Sequence, residues 1–184
     1  SFLVGIWTVT LASRTFTALN ISERGIFMPN ELYDLGGDSL VSLYYWFNNL
    51  NLHESIVTYF RSLGAIFFQY HLFAGILLAI GLLIYSRIAF LLSVIGFFSA
   101  YLFYYIVGGS FQDLSYSYIG FNFILTSIAI GGFFIIPSKY SFLWVILLVP
   151  LISICITSTM TIMSLFQLSI YSLPFNLVVI MFLY

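Results

Sequence analysis

The sequence predicts an all-α membrane protein, on three observations. The 184 residues are 62% hydrophobic, with a mean hydropathy of +1.11. Only 6% are charged, where a soluble domain carries about a quarter. The apolar residues are gathered into six long stretches with short breaks between them. A soluble fold of this size has no interior large enough to hide that much apolar surface, so the bilayer is the expected solvent.

A net charge of −1 gives no electrostatic basis for binding nucleic acid. Cys155 is the only cysteine, which excludes an internal disulfide and a cysteine-cluster metal site; in its apolar run it reads as a small buried residue. The chain opens at Ser1 on an apolar run with no basic leader. That does not read as a signal peptide and suggests a piece of something longer.

The first element is the apolar stretch Ser1–Leu19, read as a clipped span. Asn20–Glu54 is the one long polar segment and holds five of the six acids. Within it "NELYDLGGDS", just after Pro29, is turn-rich, so the segment is expected to be a connector outside the membrane. Ser55–His71 is amphipathic and interrupted by Arg61, Gln69 and His71. A spanning helix needs about 20 apolar residues, so this stretch is expected to be a tilted or re-entrant half-helix. Five spanning candidates follow: Leu72–Ser86, Ile88–Val107, Tyr118–Ile136, Tyr140–Met160 and Leu168–Tyr184. Arg87 and Lys139 fall in turns on one face, while "GGSFQDLS" between them carries Asp113 and no base. The positive-inside rule places Arg87, Lys139 and the chain's last helix end in the cytoplasm, with the Asn20–Glu54 connector outside. The sequon Asn20-Ile21-Ser22 reads as a chance match.

Three stretches hold polar or strained positions inside apolar runs. In "YSYIGFNFILTSIAIGGFF" (Tyr116–Phe134), Asn122 and Thr126 are four apart and share a helix face, beside the pair Phe121 and Leu125. Ser127 and Gly131 form a small-residue stripe suited to close helix contact. Asn122 and Thr126 have two readings: hydrogen-bonding between helices, or part of a polar pathway. In "GAIFFQYHLFAG" (Gly64–Gly75), the phenylalanine pair Phe67 and Phe68 sits beside Gln69 and His71. Lipid-facing bulk and an interfacial histidine compete there with a site, and no His, Asp and Glu constellation suits a metal. In "LSIYSLPFN" (Leu168–Asn176), Pro174 is expected to break the helix by removing an i−4 hydrogen bond, with Ser169 and Ser172 beside the break. Such a break marks either a transport site or a plain kink. Apart from the unremarkable His53–Glu54 pair in the connector, neither histidine stands near an acid-and-nucleophile arrangement, and "GGSFQD" lacks the lysine of a phosphate loop, so nucleophilic catalysis is poorly supported.

Together these stretches resemble the urea transporter family. "RSLGAIFFQYHLFAG" is similar to that family's Arg-Gly-x-Gly-Gln-Val-Phe-Phe-Gln segment. "YIGFNFILTSIAIGGFF" is similar to its Gly-Tyr/Phe-Asn-x-x-Leu segment, and "LSIYSLPF" to its Leu-Pro-x-x-Thr-x-Pro-Phe motif. Their order and spacing cover Val57–Tyr184. The resemblance implies two homologous halves of opposite orientation, each with five spans and one tilted half-helix. On that frame, residues 1–19 are the last helix of a truncated first half, 20–54 the connector, and 55–184 the second-half repeat of an inverted-repeat channel.

The resemblance also implies roles. Phe68, with Ile66 beside it, matches the phenylalanine of a narrow slot. Phe121 and Leu125 match an apolar pair lining the middle of the pore, and Ser172 matches its mid-pore threonine. Ala65 stands where the family carries Gln or Glu at the pore mouth, and Gln69 is expected to replace it in part from one helical turn on. Ser169 replaces the motif's first proline, and Ser62 a glycine. A passive urea channel, trimeric and multi-pass in a cell membrane (a bacterial inner membrane), is the implied protein, with lipid as its surroundings and no cofactor. Chemistry fits the residue types. Stripping water from urea leaves amide donors unpaired, at a cost on the order of several kcal/mol each. Hydroxyl and carbonyl oxygens can replace that water, and a neutral substrate needs no buried charge. A pore for acetamide or ammonia, or a truncated protein without transport, are the competing readings.

Overall fold

The computed structural model describes residues 2–13, 28–109 and 119–184, and every regular element among them is a helix. In chain order these are α1 (Phe2–Ser13), α2 (Met28–Asn48), α3 (Glu54–Ala65), α4 (Leu72–Tyr85), α5 (Arg87–Val107), α6 (Gly120–Ile128), α7 (Lys139–Leu165) and α8 (Leu173–Leu183). α6 runs on without a break into a five-residue π-turn, Ala129–Phe133. The sequon at Asn20 and the acidic Asp113 lie outside the described residues.

The chain forms two compact units. One comprises Ser1–Leu50 with Met163–Ser169, the other Asn51–Ile162 with Ile170–Tyr184. In the first, the indole N–H of Trp7 on α1 donates to the Ser169 carbonyl at 2.9 Å. The stretch "NELYDLGGDS", expected to be turn-rich, is instead helical on both sides of a break at Gly36–Gly37. The glycine pair is a joint between two helical pieces. Gly37 sits at φ 63°, ψ −156°, a conformation open in practice only to glycine. Pro29 falls in the first turn of α2, where its missing N–H costs no intrahelical bond.

The second unit is built around α6. Phe121, Asn122, Phe123, Ile124, Thr126 and Ser127 are all buried. Gly96 of α5 lies so close to the Ser127 side chain that a Cβ there would overlap it, which is how the predicted small-residue stripe is used. Gly131, one turn on and within the π-turn, continues the stripe against Leu92 of the same α5 and also meets Val145 of α7. The Ser141 hydroxyl of α7 donates to the Gly131 carbonyl at 3.1 Å, fixing this widened turn. Ser138 and Ser141 cap the start of α7 reciprocally, N–H of one to hydroxyl of the other, at 3.0 and 3.3 Å.

α3 starts at an N-cap supplied by His53, whose Nδ1 accepts from the Ser55 N–H at 3.4 Å. It then packs on α4, where Gly75 approaches the Phe60 carbonyl too closely for any side chain. Tyr59 and Leu63 of α3 join Ala79, Phe97 and Ile124 in one apolar cluster. The one polar feature of that cluster is satisfied: the Tyr59 hydroxyl lies 2.8 Å from Ser93 Oγ, and Ser93 Oγ donates to the Phe90 carbonyl at 2.7 Å.

α5 and α7, at 21 and 27 residues, are long and apolar enough to cross a bilayer. α4 has 14 residues and so rises about 21 Å, short of the ~30 Å hydrocarbon core. α7 exceeds the predicted Tyr140–Met160 span and carries Pro150 in its interior, a proline the apolar run hides from sequence reading.

Candidate functional site

Each motif segment contributes a place where the chain leaves a helix or enters one. α3 ends in a Schellman motif. The Gln69 N–H donates to the Gly64 carbonyl at 3.0 Å, and the Phe68 N–H to the Ala65 carbonyl at 3.0 Å. The left-handed residue of such a motif is usually glycine, but here it is Phe68, at φ 61°. Phe68 is accordingly turned out, 64% exposed, while Ala65 is buried and Ile66 half-buried. Gln69 therefore does not stand one helical turn beyond Ala65 as the sequence reading expects. The helix has already ended, and Gln69 belongs to the turn.

A second left-handed aromatic lies at the other junction. Tyr171 has φ 44°, and its ring meets that of Phe68 edge to face, centroids 5.9 Å apart at 74°. Two bulky residues in a conformation costing roughly 1–2 kcal/mol each are thus in mutual contact. The phenol of Tyr171 makes no hydrogen bond among the described residues.

The third segment holds Tyr171 in place. The fully buried Asn122 donates from Nδ2 to the Tyr171 carbonyl at 3.1 Å and accepts at Oδ1 from the Phe175 N–H at 3.2 Å. Phe175 is the third residue of α8, so Asn122 does from α6 what an N-cap side chain does locally. Asn122 thus makes the inter-segment hydrogen bonds that the first of its two readings expects. Thr126 does not share it: its hydroxyl donates to the Asn122 carbonyl of its own helix at 2.8 Å. Phe121 is 7% exposed, and Leu125, one turn on, is half-buried.

Pro174 corrects the sequence reading. It does not break a helix; it occupies the first turn of α8, which begins at Leu173 after Ser172. An N–H there has no intrahelical acceptor to lose, and the fixed φ suits the helix. The Ser172 carbonyl accepts from the Asn176 backbone N–H at 3.1 Å and from its Nδ2 at 2.7 Å. Ser172 Oγ lies 3.4 Å from the same Nδ2.

The structure therefore joins the Phe68, Asn122 and Ser172 segments through Tyr171. Tyr171 and Asn176 lie within or at the end of quoted stretches, yet sequence reading passes over both. Asn176 left a usable signal, as the one polar residue of α8; the backbone of Tyr171 left none. A groove of about 350 Å³ between α5 and α7, lined by Phe103, Tyr104, Ser153 and Thr157 among others, involves none of these residues. No group of His, Cys, Asp and Glu suited to a metal occurs among the described residues.

A charge-poor chain whose described elements are all helical, two of them long and apolar enough to cross a bilayer, is consistent with an all-α membrane protein. Compared with known families, the chain matches the urea transporter family model over residues 1–184, and it belongs to that family. Comparison with curated proteins gave no match, and neither did comparison with solved structures. Urea is thus the family-level substrate, and the family is one of membrane transport rather than catalysis.

Proposed function

We propose that the protein is a passive channel for urea, in which the substrate passes between flat rings while hydroxyl and carbonyl oxygens replace its water. The observation that carries this is the junction of the three motif segments: Phe68 on Tyr171, and Asn122 on the Tyr171 carbonyl and the Phe175 N–H, which bracket Ser172. Phe68, Ile66, Phe121 and Leu125 are the apolar wall, and Ser172 is the polar contact within it. Gln69 and the small Ala65 stand at the mouth. After Arg61 the only charges in the sequence are Arg87, Asp113 and Lys139, so nothing calls for a coupling ion. Desolvated amide donors need acceptors and not counter-charges.

The remaining frame follows the family resemblance. Residues 1–19 close a first half, 20–54 connect, and 55–184 form the second, inverted half. The protein assembles as a homotrimer in a cell membrane, a bacterial inner membrane, surrounded by lipid. Stopped-flow urea flux into proteoliposomes is the test. Urea flux well above that of empty liposomes, lost in Phe68→Ala, supports the reading. Equal flux with and without the protein rejects it, and ammonia flux alone favours the competing solute.

A further inference from the structure

We infer that Asn176 and Ser172 form an amide-reading pair on the substrate path; this rests on the reading of Ser172 as a pathway residue. Asn176 is the one polar side chain in α8, and it lies on an exposed flank with Leu177, Ile180 and Met181. Its orientation is forced. One amide atom lies 2.7 Å from the Ser172 carbonyl, which can only accept, so that atom is the Nδ2 donor. Oδ1 therefore faces away from the helix start and has no partner among the described residues. A carbonyl oxygen turned toward hydrocarbon is strongly disfavoured, so its position calls for a polar neighbour.

Ser172 supplies the other half. Its Oγ is within reach of Asn176 Nδ2 as an acceptor, and its own proton is donated to nothing among the described residues. The pair thus offers one acceptor, Asn176 Oδ1, and one donor, the Ser172 hydroxyl, from adjacent turns of one helix start. A primary amide group presents the complement: N–H to give and C=O to receive. Urea and acetamide present donor and acceptor at separate, fixed positions on one plane, whereas ammonia has a single nitrogen for both roles. The substrate class read by this pair is the planar carboxamide.

The alternative role for Asn176 is purely local, closing the start of α8 through the Ser172 carbonyl. Asn176→Ser separates the two. A serine hydroxyl can back-bond to the i−4 carbonyl, as Thr126 does to Asn122, but leaves no acceptor at the reach of the amide oxygen. Urea and ammonia fluxes are measured in proteoliposomes for the wild type, Asn176→Ser, Asn176→Leu and Ser172→Ala, with thermal unfolding of each in detergent. The expected result is that Asn176→Ser unfolds like the wild type, loses urea flux about tenfold, as for one hydrogen bond removed, and keeps its ammonia flux. Urea flux within twofold of wild type in Asn176→Ser, with Ser172→Ala impaired, overturns the pair and leaves the pathway standing. Unchanged flux in Ser172→Ala as well overturns both. If Asn176→Leu fails to fold, the serine variant still decides.

Discussion

Asn122 Oδ1 accepts the backbone N–H of Phe175 at 3.2 Å, across 53 residues of sequence, and so completes the first turn of α8 from the first turn of α6. With its Nδ2 on the Tyr171 carbonyl, the side chain satisfies two backbone groups that would otherwise be unpaired. Asn122→Leu is expected to destabilise the protein by at least about 2 kcal/mol, since each orphaned buried group costs roughly 1–3 kcal/mol. Chemical unfolding in detergent measures this. A loss below about 0.5 kcal/mol means that water or lipid headgroups serve these groups equally well.

The left-handed backbone of Phe68 separates ring from strain. Phe68→Gly and Phe68→Ala both remove the edge-to-face contact with Tyr171, but only glycine adopts φ 61° freely. Phe68→Gly is therefore expected to be the more stable of the two by roughly 1 kcal/mol, while both depress urea flux. Equal stabilities indicate that the turn re-forms in another conformation once the ring is gone.

At the crossing of α5 and α6, a methyl on Gly96 overlaps the Ser127 side chain. Gly96→Ala is predicted to cost about 1–3 kcal/mol, and Ser127→Gly in the same chain is predicted to recover much of it. A double-mutant cycle reads this directly. Additive losses would show that the two positions do not share the contact.

Ser62 makes the opposite case. Its hydroxyl is buried against Gly120 and has no hydrogen-bond partner among the described residues. Ser62→Ala is predicted to be neutral or stabilising by up to about 1 kcal/mol. A clear destabilisation in a thermal melt would reveal a bond that the present geometry lacks.

Much of the helical plan was legible because lipid solvation demands it. Arg87 and Lys139 mark the starts of α5 and α7, and the apolar runs between them leave little choice but helix. Phe121, Asn122 and Ser127 were legible as one buried helix from spacing alone. What escaped was conformation set at a distance. Pro174 looks like a breaker until Asn122 fixes where α8 begins, and Thr126 looks like a partner for another helix until its own i−4 carbonyl takes its proton. The Gly36–Gly37 pair has the same local signature as a loop turn and as a joint between helices, so the helical character of α2 does not show in the sequence. The positive φ of Phe68 and Tyr171 has no sequence signature, because aromatic residues are among those least expected there.

The borrowed cap of α8 also sets an order of events during synthesis. Until both α6 and the Phe175 amide have left the ribosome, the last helix lacks the side chain that completes its start. Its first turn is completed only when a segment made much earlier is retained nearby. Cleavage between the two, followed by loss of the earlier piece, would leave α8 with an open first turn.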